Sequence, residues 1–189
     1  MDRGQKTGAL SAAAKPLTLD QVPTMEADRL STGMEELDRV LGGGLVPGSA
    51  TLLAGEPGIG KSTLLMQAAA GLAARQRRLL YVSGEESPAQ LRLRAGRLGL
   101  DPSLLLVAAE TSVEAILAMA DQWAASWALL AIDSIQCLST RQAPSGPGSL
   151  VQIRESAGRL MTLAKTMNRP LWLVGHVTKD GAIAGPKVL

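Results

Sequence analysis

The sequence predicts an α/β fold in which a mainly parallel sheet lies between two layers of helices. Three observations predict it. Five short apolar runs recur along the chain: "ATLLA" at 50–54, "LLYVS" at 79–83, "LLLVA" at 104–108, "ALLAID" at 128–133 and "LWLVG" at 171–175. They are continuously apolar rather than alternating, which predicts strands buried on both faces. Helix-like segments with cap signals separate them, and strand–helix–strand alternation closes into a parallel sheet. The third observation is a glycine-rich turn, "GEPGIGKS" at 55–62, between the first run and the helix after it.

Taken in order, residues 1 to about 28 are rich in Ala, Thr, Lys and Pro without sustained periodicity and read as a flexible linker. In "LSTGMEELDRVLGGG", Thr32 and Glu35 have capping-box spacing, Leu37, Val40 and Leu41 share a helical face, and Gly42–Gly44 stop the helix. The second helix spans about Lys61 to Arg75. Ser87 and Gln90 form another capping box, with Pro88 at the first helical position, and that helix ends near Leu98 before Gly99. Thr111 and Glu114 cap a helix to about Ala125, and a Pro/Gly/Ser-rich loop leads into a helix from Leu150 to about Met167.

Composition sets bounds. A chain of 189 residues fits one domain, or one with a tail, and buries a core without staples. A lone cysteine, Cys137, excludes an internal disulfide and a CxxC zinc site, and places the chain in a reducing, cytoplasmic compartment. There is no apolar leader and no run long enough for a membrane span. A net charge of +2 does not by itself argue for nucleic acid, and with three Trp, one Tyr and no Phe the chain has few platforms for stacking bases.

The turn at 55–62 fits G-x-x-x-x-G-K-[ST] in the strand–loop–helix setting that motif requires. A polyphosphate must be met by many short-range donors. Glycines let backbone N–H groups approach its oxygens, and the helix starting at Lys61 directs its dipole and free N–H groups at the anion. Gly55, Glu56, Pro57, Gly58, Ile59, Gly60, Lys61, Ser62 and Thr63 are therefore the candidate nucleotide-binding set, with Lys61 on the β- and γ-phosphates and Ser62 on Mg²⁺.

Asp133 closes the fourth apolar run, on the side where ligands bind such sheets, and is the second candidate Mg²⁺ residue. Glu85 and Glu86 follow the second run. Either is placed to orient a water near the γ-phosphate, and either is equally a solvated acid at a helix N-terminus. His176, the sole histidine, ends the fifth run and reads either as a polar strand-end residue or as a sensor that contacts the γ-phosphate and moves the following loop. Cys137 reads as a buried small hydrophobe. Arg75, Arg77, Arg78, Arg92, Arg94, Arg97, Arg154, Arg159 and Lys165 read mostly as solvated helix faces. Arg141, Lys179 and Lys187 lie in the glycine-bearing segments 139–149 and 178–187, where mobile cationic loops can track a phosphate backbone.

The stretches "RLSTGMEELDRVLGGGLVPGS", "GEPGIGKSTLL", "LYVSGEES", "AIDSIQ", "PGSLVQIRE" and "LVGHVTKDGAIAGPKVL" together resemble the ATPase core of the bacterial RadA (Sms) family, RecA-related DNA repair and recombination proteins. The resemblance runs from about Arg29 to Leu189, and "YVSGEES" and "GHVTKDGAIAGP" carry more of it than the phosphate loop does. It implies a RecA-like core over residues 29–189 with strands ordered 3-2-4-5-1. It implies ATP and Mg²⁺ as cofactors, Glu85 rather than Glu86 as the catalytic glutamate, and His176 as a γ-phosphate sensor. It implies that 139–149 and 178–187 line a DNA channel, in hexameric rings that move on single-stranded DNA and promote branch migration.

The resemblance also implies a four-cysteine zinc finger ahead of the core, and further strands, a Lys-Asn-Arg-Phe-Gly motif and a Lon-protease-like domain behind it. None of these lies within the present sequence. The chain is accordingly expected to be a truncated core that binds no zinc, with its first strand at a sheet edge. Two rival readings stay open: a nucleotide-dependent binding module with little hydrolysis, and another RecA-like ATPase of helicase or clock type.

Overall fold

A computed structural model describes residues 18–21 and 28–176. The expected linker over 1–28 and the loop 178–187, with Lys179 and Lys187, lie largely or wholly outside the described residues. Five strands form one parallel sheet: β1 (Ala50–Gly55), β2 (Leu79–Ser83), β3 (Leu105–Ala109), β4 (Leu129–Asp133) and β5 (Leu171–His176). Their order is β1-β5-β4-β2-β3, the expected 3-2-4-5-1 read from the other edge. The helices are α1 (Glu35–Val40), α2 (Lys61–Ala73), α3 (Pro88–Arg97), α4 (Val113–Gln122) and α5 (Leu150–Met167).

Strand side chains alternate between faces, so one apolar run feeds two cores. Leu79, Tyr81, Leu129, Ala131, Trp172 and Val174 pack with Leu65, Met66 and Leu72 of α2 and Leu91 of α3. Leu80, Val82, Leu130, Ile132, Leu171 and Leu173 pack with Ile116 of α4 and Ile153 and Leu160 of α5. The result is the three-layer arrangement expected.

Burial on both faces holds only for the three central strands. β1 and β3 are edges, with alternating or partial burial, and Leu52 and Val107 are exposed. Each pairs on one side only among the described residues.

Two cap expectations are corrected. Thr32 does not cap α1, whose N-cap is Met34 without a side-chain bond. Asp38 takes Thr32 instead: its Oδ1 accepts from both the backbone N–H and the hydroxyl of Thr32 at 2.8 Å, and Ser31 Oγ donates to its Oδ2 at 2.6 Å. That knot leans on α2 at Gly71, where a Cβ would lie 1.8 Å from the Thr32 carbonyl oxygen.

α4 is capped by Ser112, one residue later than Thr111. The Thr111 carbonyl accepts from Ser139 N–H at 2.9 Å and its own N–H donates to Glu110 Oε1, so Thr111 is tied up just ahead of the Ser112–Ser139 bridge. The Ser87–Gln90 box with Pro88 forms as expected.

Candidate nucleotide site

Parallel register brings the C-terminal strand ends level, pairing Gly55 with His176 and Ser83 with Asp133. Residues far apart in the chain therefore meet on one side of the sheet, the side that binds ligands in open α/β folds. The cavity there has a volume of about 330 Å³, and its wall includes Gly58, Gly60, Lys61, Ser62, Thr63, Glu85, Asp133 and His176. A larger hollow of about 620 Å³ between α3 and β3 is mostly apolar and holds none of these groups.

The turn itself has the shape an anion needs. Gly58 and Gly60 take φ of +81° and +108°, where a side chain is strained, and a Cβ at either would meet nothing within 4 Å. The space beside them is open. α2 begins at Lys61 with no side-chain cap, so the donors of its first turn are left for a ligand. Lys61 Nζ donates to the carbonyls of Gly55 and Glu56 at 2.8 and 2.9 Å, drawing the turn around the cation. Pro57 joins the cavity wall, whereas the Ile59 side chain is exposed.

Ser62 Oγ donates to Asp133 Oδ2 at 2.7 Å, and the buried Tyr81 hydroxyl donates to the same oxygen. Burial, then the Asp133 carboxylate, push the Tyr81 phenol far above its ordinary range, so it stays a donor. Among the described residues no donor reaches Asp133 Oδ1, and no three His, Cys, Asp or Glu side chains converge as a metal cluster. A hydroxyl and a carboxylate beside a phosphate turn do fit Mg²⁺, which keeps several waters and takes its remaining ligands from phosphate.

Glu85 and Glu86 part ways. Glu85 Oε1 accepts from Ser134 Oγ at 2.6 Å, meets His176 Nε2 at 2.9 Å and lies 3.6 Å from Cys137 Sγ. Burial alone would raise its pKa. The bonds from Ser134 and His176 outweigh burial and hold the carboxyl below the ordinary range. Glu86 is ion-paired to Arg94 of α3. His176 thus addresses the glutamate, and its Nδ1 is buried without a partner among the described residues. Cys137 is not a core residue as expected: it is half-buried beside Glu85, and a Cβ on Gly84 would come within 2.4 Å of its own.

A family model described as "AAA domain" matches residues 13–182. The chain belongs to the AAA domain family. Among its relatives are proteins named DNA repair protein RadA. That of Haemophilus influenzae is 51% identical over 176 residues, 93% of this chain and 38% of the relative. That of Pseudomonas aeruginosa is 52% identical over 172 residues, 91% and 37%. That of Escherichia coli is 49% identical over 179 residues, 95% and 38%. The likeness to the RadA ATPase core is thereby shown, and the chain spans a little over a third of the length of these relatives.

Within this AAA domain, sequence reasoning missed four contributors. Tyr81 had a usable signal, since a phenol inside a buried apolar run needs a polar partner, and the neighbouring strand ends in Asp133. Ser83 Oγ accepts from the N–H groups of Glu85 and Glu86 at 3.2 and 2.8 Å, fixing the turn that aims both acids. Ser134 adjoins Asp133 in the chain but reaches Glu85 only through the fold. Arg94, classed with solvated faces, lines the cavity. Arg159 is likewise engaged, with Glu114 and Thr140.

The loop 139–149 is anchored rather than free. Gln152, buried on α5, accepts from Thr140 N–H at 2.8 Å and donates to the carbonyls of Thr140, Ala143 and Ser145. Arg141 remains exposed. No described helix is long and apolar enough to cross a membrane.

Proposed function

We propose that residues 29–189 are an Mg²⁺-dependent ATPase core that works, as part of a RadA-type protein, in DNA repair and recombination in the cytoplasm. The single observation that carries this is the meeting of Lys61, Ser62, Asp133 and Glu85 in one cavity beside an uncapped helix N-terminus. The amides of the turn and Lys61 bind the phosphates. Ser62 and Asp133 hold Mg²⁺, which when bound neutralises charge on the transferred phosphoryl group.

Glu85 is the water-orienting base. Its Oε1 is saturated by Ser134 and His176, which leaves Oε2 for a water and keeps the carboxylate ionised. His176 senses the terminal phosphate through Glu85 and passes the state of the site to the chain beyond it. Arg141, on a loop held by Gln152, and the segment 178–187 face DNA, in a ring of copies that moves on single-stranded DNA and promotes branch migration.

ATP turnover measured with and without single-stranded DNA tests the reading. Turnover that DNA stimulates supports it. Binding without turnover in both conditions leaves a nucleotide-dependent binding module, and turnover without branch migration by the longer protein points to another class of motor.

A further inference from the structure

We infer that Arg94 is a second phosphate-contacting cation of this site, aimed by Glu86, and that it makes the site prefer a nucleoside triphosphate over a diphosphate. The inference rests on the nucleotide-site reading above and assigns roles to two residues which that reading leaves idle.

The cavity wall holds two cations, Lys61 and Arg94, against three carboxylates, those of Glu85, Glu86 and Asp133. A polyanion entering that surface meets excess negative charge unless part of it is neutralised. Ser62 and Tyr81 donate to Asp133, while Ser134 and His176 engage Glu85. For Glu86 the neutralising group is Arg94, and it is a full charge.

Only Nη2 of Arg94 is used by Glu86. A guanidinium carries five N–H donors in a rigid fork, so the remaining ones stay available while Glu86 holds the plane in place. Among the described residues no other acceptor takes them. The pair is partly exposed, at 34% and 25% of the side chains, on the cavity side of α3.

Lys61 differs, because its ammonium already donates to the carbonyls of Gly55 and Glu56 and is tied to the base of the turn. Arg94 is held by Glu86, next to the Glu85 that the reading above assigns to the water at the terminal phosphate, so its free donors are assigned to that end of the phosphate chain. A cation there meets the terminal phosphate and has nothing to meet in a diphosphate. Glu86 is then a positioning residue, which also explains why two adjacent acids share this turn: Glu85 is free to serve a water because Glu86 is committed to Arg94.

The test is calorimetric titration of the full chain with a non-hydrolysable ATP analogue and with ADP, each with Mg²⁺. For Arg94→Ala the analogue should weaken by about ten- to a hundredfold, the range for a charged hydrogen bond, while ADP changes less than about threefold. Glu86→Gln should narrow the triphosphate-to-diphosphate ratio in the same direction, because the fork is no longer aimed, although losing a carboxylate tightens both ligands. Arg94→Gln, which removes the charge and shortens the side chain but keeps it polar, serves if the alanine variant does not fold.

Equal weakening of both ligands would make the pair merely structural and overturn the inference. So would no change in either. Wild type that binds neither ligand would instead sink the nucleotide site itself, a distinct outcome.

Discussion

Ser62 and Asp133, 71 residues apart in the chain, are joined by a 2.7 Å hydrogen bond between the end of β4 and the first turn of α2. That contact ties the glycine turn to the centre of the sheet and sets side by side the hydroxyl and the carboxylate proposed to hold Mg²⁺. Removing the hydroxyl by Ser62→Ala should weaken ATP binding about tenfold with Mg²⁺ present and hardly at all in EDTA, as titration in the two buffers would read. A loss of equal size in both buffers would place Ser62 on the phosphates alone.

Glu85→Gln should leave ATP affinity within about threefold and lower turnover by about a hundred- to ten-thousandfold, the range for a lost general base. Glu86→Gln should retain far more turnover, since its partner is Arg94 and not a water. Single-turnover phosphate release distinguishes the two variants, and a reversed order would reassign the base.

Stability at low pH should depend on Glu114. Its hydrogen bond from Thr140, and then its contact with Arg159, lower the carboxyl pKa from an ordinary 4.5 to about 2. A depressed acid contributes stability above its unfolded value and loses it as pH falls through the folded one. The difference in urea midpoint between wild type and Glu114→Gln should therefore be full above about pH 4.5 and vanish toward pH 2. A difference that is unchanged down to pH 2 would deny the ionised contact.

Gly71→Ala should be among the more damaging single-methyl changes in the chain. Its Cβ would lie 1.8 Å from the Thr32 carbonyl oxygen, against backbone that Asp38 already fixes. Overpacking of this kind costs about 1–3 kcal/mol. The loss should appear as a lower thermal midpoint, whereas Gly96→Ala, with open space around it, should not lower stability.

The layers and the glycine turn between β1 and α2 were legible because each rests on local chemistry: apolar runs, a glycine-rich stretch and a helix start. The order of the strands came from the RadA resemblance alone. What stayed hidden depends on register across the sheet. Nothing near Ser134 in the chain points to Glu85, and only the level ends of β2, β4 and β5 bring Ser134, Glu85 and His176 together.

Thr32 misled because its spacing to Glu35 suits a cap while its true partner, Asp38, lies one turn on. Edge exposure of β1 and β3 was masked by runs as apolar as those at the centre.

The central claim is that the turn at 55–62 holds a nucleoside triphosphate with magnesium, and an ATP–Mg²⁺ titration of wild type and Lys61→Ala tests it most directly. Wild type should show saturable uptake, and Lys61→Ala should lose it by about a hundredfold or more, as befits a charged donor that also braces its own loop. Equal binding by the two proteins, or no saturable uptake by folded wild type, would contradict it.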